Sequence, residues 1–290
     1  MSGRRRVGGH AAPGYVGEVS EVLETAKPVA RVSRTAPGRV RRFLLGLLER
    51  RRLDDVLDWM RFRIDTFPRR AGLLRLLRVP ELETATGYQD LPWVGLATSR
   101  RGSSSETRWE AMRPIVEAQG VRSAVDIGAN VGWFLFAFDR LGIPAVGVEH
   151  EQRHVRVGLY AQKKLARPSR IGFLTLHLDA ETAGLVPPAD CVVFLSVWHH
   201  IVRDHGLEAA SAALAGLWER TGKVLFFETG EREIPEWWGL PAMEPDPERW
   251  LSAYLSDVCP GSTVQHLGVH DAGLERGGRR VTRNLFAVTR

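Results

Sequence analysis

Beyond residue 122 the chain alternates short apolar runs with amphipathic stretches of helical period. The runs at 123–127, 145–149, 172–178, 191–197 and 223–227 have the length and the Val, Ile, Leu and Phe content of buried strands. Between them the spacing predicts helices over 131–141, 152–165 and 206–220. The last carries Leu207, Ala210, Leu214 and Leu217 on one face, with Gly222 as its stop. Asp246 followed by Pro247 reads as an N-cap with proline at the first helical position. The helix it opens should bury Trp250, Leu251, Tyr254, Leu255 and Val258. Two last strands, 264–269 and 281–288, are joined by the Gly-rich stretch 271–280, which reads as a loop and makes this pair antiparallel. Alternation of strand and helix predicts an α/β fold, a doubly wound sheet covered on both faces.

Upstream the pattern changes. Ser103-Ser104-Ser105-Glu106 fits a capping box, and the helix it starts should run to about Ala118, burying Trp109, Met112 and Val116 before Gly120 ends it. Residues 79–101, with Tyr88, Pro92 and Trp93, look irregular. Val40, Phe43, Leu44, Leu47 and Leu48, then Leu53, Val56, Leu57 and Met60, recur at helical spacing and predict basic amphipathic helices up to about Leu77. Residues 1–38 have too few large apolar groups to offset the entropy of ordering. The expected organisation is a disordered basic tail over 1–38, a helical and irregular N-terminal extension over 39–104, and a ligand-binding domain over 105–290. In the helix at 131–141, Trp133 and Phe136 widen the stripe of Val131, Phe134, Leu135 and Phe138 almost to the full circumference. Such a helix must be covered on both sides, and the helices of 43–60 are expected to supply part of the cover.

Composition narrows the class. The longest apolar runs, 131–138 and 191–198, fall far short of the ~18 to 20 residues of a membrane span. Arg4-Arg5-Arg6 has no apolar stretch behind it, so a secretory leader is not expected and the cytoplasm is the expected location. With two cysteines, Cys191 and Cys259, neither a disulfide framework nor a metal-ligand spacing is available, and no metal is expected. The formal net charge of +6 is uneven, since residues 1–80 hold 18 Lys and Arg against 8 Asp and Glu. A basic extension admits a nucleic-acid or anionic-surface partner, but no aromatic residues interleave the charge as base stacking requires.

The candidate chemistry lies at the carboxyl ends of the strands, where doubly wound sheets bind ligands. Asp126 closes the first strand, Glu149 the second and Asp179 the third. The first is followed by Gly128-Ala129-Asn130-Val131-Gly132. Gly128 permits a tight turn and close approach of a ligand, Asn130 tolerates a left-handed backbone or caps the next helix, and Gly132 allows close helix–strand packing. Glu149 follows Asp126 by 23 residues, near the ~20 expected of an acid that binds ribose hydroxyls. Asp179 can accept from an adenine amino group. A nicotinamide cofactor fits less well, because the loop lacks the second and third glycines of that fingerprint, and Asp126 would repel a diphosphate. The sulfonium and ammonium of S-adenosylmethionine (SAM) would instead be attracted to it.

Val125-Asp126-Ile127-Gly128-Ala129-Asn130-Val131-Gly132, Val146-Gly147-Val148-Glu149 and Leu195-Ser196-Val197-Trp198-His199-His200-Ile201 resemble the class I, Rossmann-like SAM-dependent methyltransferases over about residues 105–290. The resemblance implies a seven-strand mixed sheet ordered 3-2-1-4-5-7-6 with strand 7 antiparallel. It also implies SAM contacts at Asp126, Gly128, Glu149 and Asp179. The middle glycine common in the family is Asn130 here. The stretch from Tyr88 to Trp109 is similar to methyltransferases of glycan and tRNA-wobble modification.

The acceptor should then sit near the ends of the fourth and fifth strands, beside Ser196. The Asn/Asp-Pro-Pro-aromatic segment of base-amino methylation is absent there. His199 or His200 is a candidate base for a hydroxyl acceptor, and each is equally a loop histidine bonded to backbone. Trp198 either packs on adenine or fills the core. Glu228 and Glu231 are candidates to hold an acceptor hydroxyl, and Trp237-Trp238, in the long segment 232–245, suits a sugar or aromatic acceptor or anchors the loop. The expected function is methyl transfer to a hydroxyl of a small molecule or glycan. The alternatives are an RNA (tRNA) methyltransferase gripping phosphates with its basic extension and a SAM-binding module without catalysis.

Overall fold

The computed structural model describes residues 89–94, 104–165, 167–276 and 279–290. The chain divides after Leu77, and the first unit contains no described residue. The expected tail over 1–38, the helices of 40–77 with their cover over 131–141, Tyr88 and the capping Ser103 therefore lie outside the described residues. The second unit starts at Arg78, ahead of the expected boundary at 105.

Seven strands form one sheet: β1 (Ala124–Ile127), β2 (Ala145–Val148), β3 (Ile171–Leu174), β4 (Ala189–Leu195), β5 (Thr221–Glu228), β6 (Thr263–Arg276) and β7 (Arg279–Thr289). Their order is β3-β2-β1-β4-β5-β7-β6. The first five pair in parallel, and β7 runs antiparallel to both neighbours. This is the order and polarity that the resemblance implied. The helices are α1 (Ser104–Ala118), α2 (Trp133–Arg140), α3 (Gln152–Lys163), α4 (Trp198–Glu219) and α5 (Pro247–Val258).

The central strands are apolar on both faces, so each contributes alternate residues to two cores. Val193 and Phe226 join Leu135 and Phe138 of α2 on one side; Phe194 and Phe227 join Leu214 of α4 and Leu251 of α5 on the other. Helix α2 is buried from Trp133 to Asp139, as its circumference of apolar residues requires. On the side away from the sheet, Trp93 packs against Trp133 and Phe136 with ring centroids 4.9 and 6.2 Å apart. Trp109 of α1 meets Phe138 edge-on at 5.0 Å.

Asp246 caps α5 by accepting the Arg249 N–H at 2.9 Å, with Pro247 behind it. Of the five residues expected to be buried there, Leu251 and Leu255 are enclosed, while Trp250, Tyr254 and Val258 are partly buried against the same core.

Three elements depart from the sequence reading. Strand β3 stops at Leu174, so Asp179 stands in the following loop rather than at a strand end. Helix α4 starts at Trp198, eight residues early, and carries Gly206 inside it at φ 87°, ψ 168°, where two helical pieces meet. Stretch 271–280 is not a loop: β6 continues to Arg276 by shifting register between His266 and Val269 and between Asp271 and Leu274. Gly268 and Gly273 fall in those shifts at positive φ, the geometry of β-bulges.

Candidate active site

A cleft of about 450 Å³ opens at the carboxyl ends of β1, β2 and β4, the switch point of the sheet. Its floor is the turn from β1 into α2. The N–H groups of Gly128 and Ala129 donate to the Val148 carbonyl at 2.8 and 3.1 Å, which draws the turn against the end of β2. Gly128 has φ +70°, and a Cβ on it would lie 2.4 Å from Val197 Cγ2. Any side chain here would be strained at that φ and would have to displace the Val197 methyl.

Glu149 lines this cleft and Asp126 the small recess beside it, and their electrostatic settings differ. Asp126 is 3% exposed, and its Oδ2 is buried without a hydrogen-bond partner. Burial, and then the charge of Glu149, hold its carboxyl well above the usual range. It faces a small recess beside the cleft, lined also by Ser104, Ser105 and Arg108 of α1 and by Gln89. Glu149 is equally buried but well supplied with donors. Its Oε2 accepts the Asn130 N–H at 2.9 Å and its Oε1 the Glu151 N–H at 2.8 Å. Burial alone would raise its carboxyl, but the His154 side chain and these two N–H groups outweigh burial and lower it. Asn130, at φ 53°, places its Nδ2 3.2 Å from His154 Nδ1 and leaves its Oδ1 buried without a partner.

Asp179 lies next to the cleft wall formed by His177 and Leu178 but does not itself line it. Its Oδ1 accepts from the Thr182 N–H and hydroxyl and from the Glu181 N–H, and the Thr182 N–H does most to hold its carboxyl below the usual range.

The early start of α4 separates the two histidines. His200 lines the cleft, with its basicity reduced by burial and by Arg203. His199 is buried. Its Nδ1 accepts the Gly230 N–H at 2.9 Å with the Thr229 hydroxyl at 3.2 Å, so it pins the exit of β5. Burial first, then Arg283 and His200, keep it neutral. His199 is thus a backbone anchor with no free nitrogen lone pair. Trp198 is fully buried in the core and donates from Nε1 to the Tyr254 hydroxyl at 3.0 Å; it is not a cleft wall. Ser196, at φ 60°, reaches both the cleft and the recess.

Glu228 is 0% exposed and does not face an acceptor. Arg108 grips its carboxylate through Nε and Nη2, and the Ser196 hydroxyl donates to it at 2.8 Å. Arg283 of β7 donates to Ser196 Oγ at 3.0 Å and to Glu233 at 2.8 Å, while Asn284 donates backbone and side-chain N–H groups to Glu231. Burial first, then Glu233 and Glu228, raise the Glu231 carboxyl in spite of Asn284. The segment after β5 is therefore tied to β7 by the Arg283–Glu233 ion pair and the Asn284–Glu231 hydrogen bonds. Trp238 stacks on His199 and lies under Arg203, whose carbon is 4.7 Å from the ring centroid, whereas Trp237 is 75% exposed.

Sequence reasoning missed Arg108, His154, Arg283 and Asn284. Arg108 and Arg283 lie 120 and 55 residues from Glu228 along the chain, and no local pattern marks either. Both cysteines are buried free thiols. Among the described residues no group of three His, Cys, Asp or Glu is placed to hold a metal, and no helix is long and apolar enough to cross a membrane.

No protein-family model matches the chain. Two Escherichia coli proteins, each described as the O-antigen chain terminator bifunctional methyltransferase/kinase WbdD, are 28% identical over 132 residues, which is 44% of this chain and 18% of theirs. The chain thus spans less than a fifth of the length of these curated relatives. Its fold matches a solved structure of WbdD with TM-score 0.53 and 20% identity, covering 71% of this chain and 45% of that one. It matches the SAM-bound magnesium protoporphyrin IX methyltransferase of Synechocystis PCC 6803 with TM-score 0.51 and 17% identity, covering 73% and 90%. Identities this low speak for the fold alone, and the sheet order and strand polarity speak for it independently. The sheet order and strand polarity are those of the class I SAM-dependent methyltransferase fold, and the β1 turn resembles the loop of that family.

Proposed function

We propose that the chain is an enzyme that holds SAM in the cleft and transfers its methyl group to an acceptor hydroxyl on a glycan or small molecule. One observation carries the reading. Asp126 presents a buried carboxylate oxygen with no partner beside a glycine that a Cβ would displace. Leaving such an oxygen unpaired is costly, and a cationic ligand completes it. An amino-acid ammonium is such a ligand, and a diphosphate is not. Glu149, ionised and held by backbone N–H groups, accepts ribose hydroxyls. Leu176, Leu178 and Ile201 offer apolar faces to a purine, with Asp179 beside them.

SAM, when bound, supplies an electrophilic methyl group, so the protein's work is alignment and exclusion of water. His200 is the proton acceptor in this reading, because it faces the cleft and stays neutral near pH 7. Trp237 gives the acceptor an exposed aromatic face, and the segment 232–245 around it is the acceptor wall. The curated relatives are described as O-antigen chain terminators, which favours a glycan among the acceptors.

Calorimetry with SAM, followed by a methyl-transfer screen over glycans and hydroxylated small molecules, tests the proposal. SAM should bind and one class should be methylated. Absence of SAM binding overturns the reading, and binding without transfer to any acceptor leaves a SAM-binding module in its place.

A further inference from the structure

Asn130 occupies the loop position where the family commonly has glycine, and it does so at φ 53°, a left-handed conformation that strains an L residue and not a glycine. Its side chain is 8% exposed on the wall of the cleft. One end of the amide is fixed, since Nδ2 lies 3.2 Å from His154 Nδ1. The other end is not, since Oδ1 is buried and has no partner. The backbone N–H of the same residue donates to Glu149 Oε2, so the residue that carries the orphan oxygen is joined directly to the Glu149 carboxylate. A neutral and a charged acceptor on residues of one cleft wall suit the two hydroxyls of a vicinal diol.

We infer that Asn130 is a specificity-determining residue for the ribose of the cofactor. Its amide oxygen accepts from one hydroxyl of the vicinal diol while Glu149 accepts from the other. His154 is the positioning residue: its Nδ1, 3.2 Å from the amide nitrogen, fixes that end of the side chain. The strain of a non-glycine residue at this turn is then the counterpart of a second ribose contact that a glycine loop lacks. This inference rests on the SAM reading.

The test uses S-adenosylhomocysteine (SAH) and its 2′-deoxy and 3′-deoxy forms, with calorimetric affinities and melting temperatures for the full chain. Asn130→Gly should melt no lower than the wild type, because glycine relieves the positive φ, and yet bind SAH roughly tenfold more weakly, the order of one hydrogen bond. The wild type should lose a similar factor on one of the two deoxy analogues, and the variant should not lose it again. His154→Ala should reduce the same discrimination. If Asn130→Gly binds SAH as the wild type does, or is weakened equally toward all three compounds, the inference is overturned while the SAM reading stands. If the wild type binds neither SAM nor SAH, the SAM reading falls and takes the inference with it.

Discussion

Asp126 and Glu149 are both buried carboxylates at strand ends, yet their surroundings push them in opposite directions. Asp126 has its affinity for a proton raised by burial and by Glu149, so the folded protein holds that proton over a pH range where the unfolded chain, near pH 4, has released it. Stability must therefore fall as pH climbs from about 4 through the folded pKa, and stay low above it. Glu149 has the reverse sign: its lowered pKa stabilises the fold above about pH 4, and that contribution disappears as pH falls through the folded value. Asp126→Asn should thus raise the melting temperature of the ligand-free protein at pH 7 to 8, with the gain shrinking toward pH 4, while weakening SAM binding at neutral pH. Thermal melts across pH, paired with calorimetry, decide it. Identical melting curves at every pH would remove the claim that Asp126 is a strained acid awaiting a cation. These two acids were legible in the sequence because strand ends and spacing mark them. Their opposite titration was not legible, since it depends on which N–H groups the fold brings up.

At the scale of elements, glycine was read as punctuation where the fold uses it to continue an element. By pattern alone Gly206 reads as a helix start, and the Gly-rich stretch 271–280 as a loop. In the structure Gly206 joins two helical pieces, and Gly268 and Gly273 let β6 bulge without leaving the sheet. A pattern of apolar residues reports which face is buried and is silent on a one-residue irregularity inside an element. The break at Gly206 aims the first piece of α4, with His200 and Arg203, at the cleft, while the second piece packs on the sheet. Its φ and ψ lie in a region essentially restricted to glycine, and a Cβ there would meet nothing within 4 Å. Gly206→Ala therefore isolates backbone strain. It should cost about 1 to 3 kcal/mol, or roughly 2 to 4 °C per kcal/mol for a domain of this size. A melting temperature unchanged from wild type would mean that the kink relaxes freely and does not set the direction of the first piece. The tie between α1 and β5 makes a second test of the same kind. Arg108→Met removes the two-pronged partner of buried Glu228 and leaves it the Ser196 hydroxyl and the more distant Arg283, so it should cost up to about 3 to 5 kcal/mol in denaturant unfolding. A loss below about 1 kcal/mol would show that water or another cation replaces Arg108 at once.

Over the whole molecule, the demand that α2 be covered on both faces was readable from its circumference of apolar residues, but the identity of the cover was not. The cover seen among the described residues is α1 together with 89–94, where Leu91 is fully buried and Trp93 packs on Trp133 and Phe136. Gln89 adds a polar tie, accepting the Trp133 N–H at the start of α2 at 3.3 Å. Gln89 of this segment also lines the recess that Asp126 faces. Cover and cofactor pocket are therefore one construction, and removing this segment should damage stability and binding together. A chain beginning at residue 78 keeps the segment, whereas one beginning at residue 100 loses it. Loss of a buried Leu alone costs about 2 to 5 kcal/mol and loss of a packed Trp a similar amount, a large share of the ~5 to 15 kcal/mol that holds a domain folded. The fragment from residue 100 is expected to aggregate or to melt far below the fragment from residue 78, and to bind SAM at least tenfold more weakly. Expression of both fragments, with melting curves and SAM titrations, measures this directly. Equal stability with equal SAM affinity would mean that 89–94 only rests on α2, and that α1 suffices to close the site.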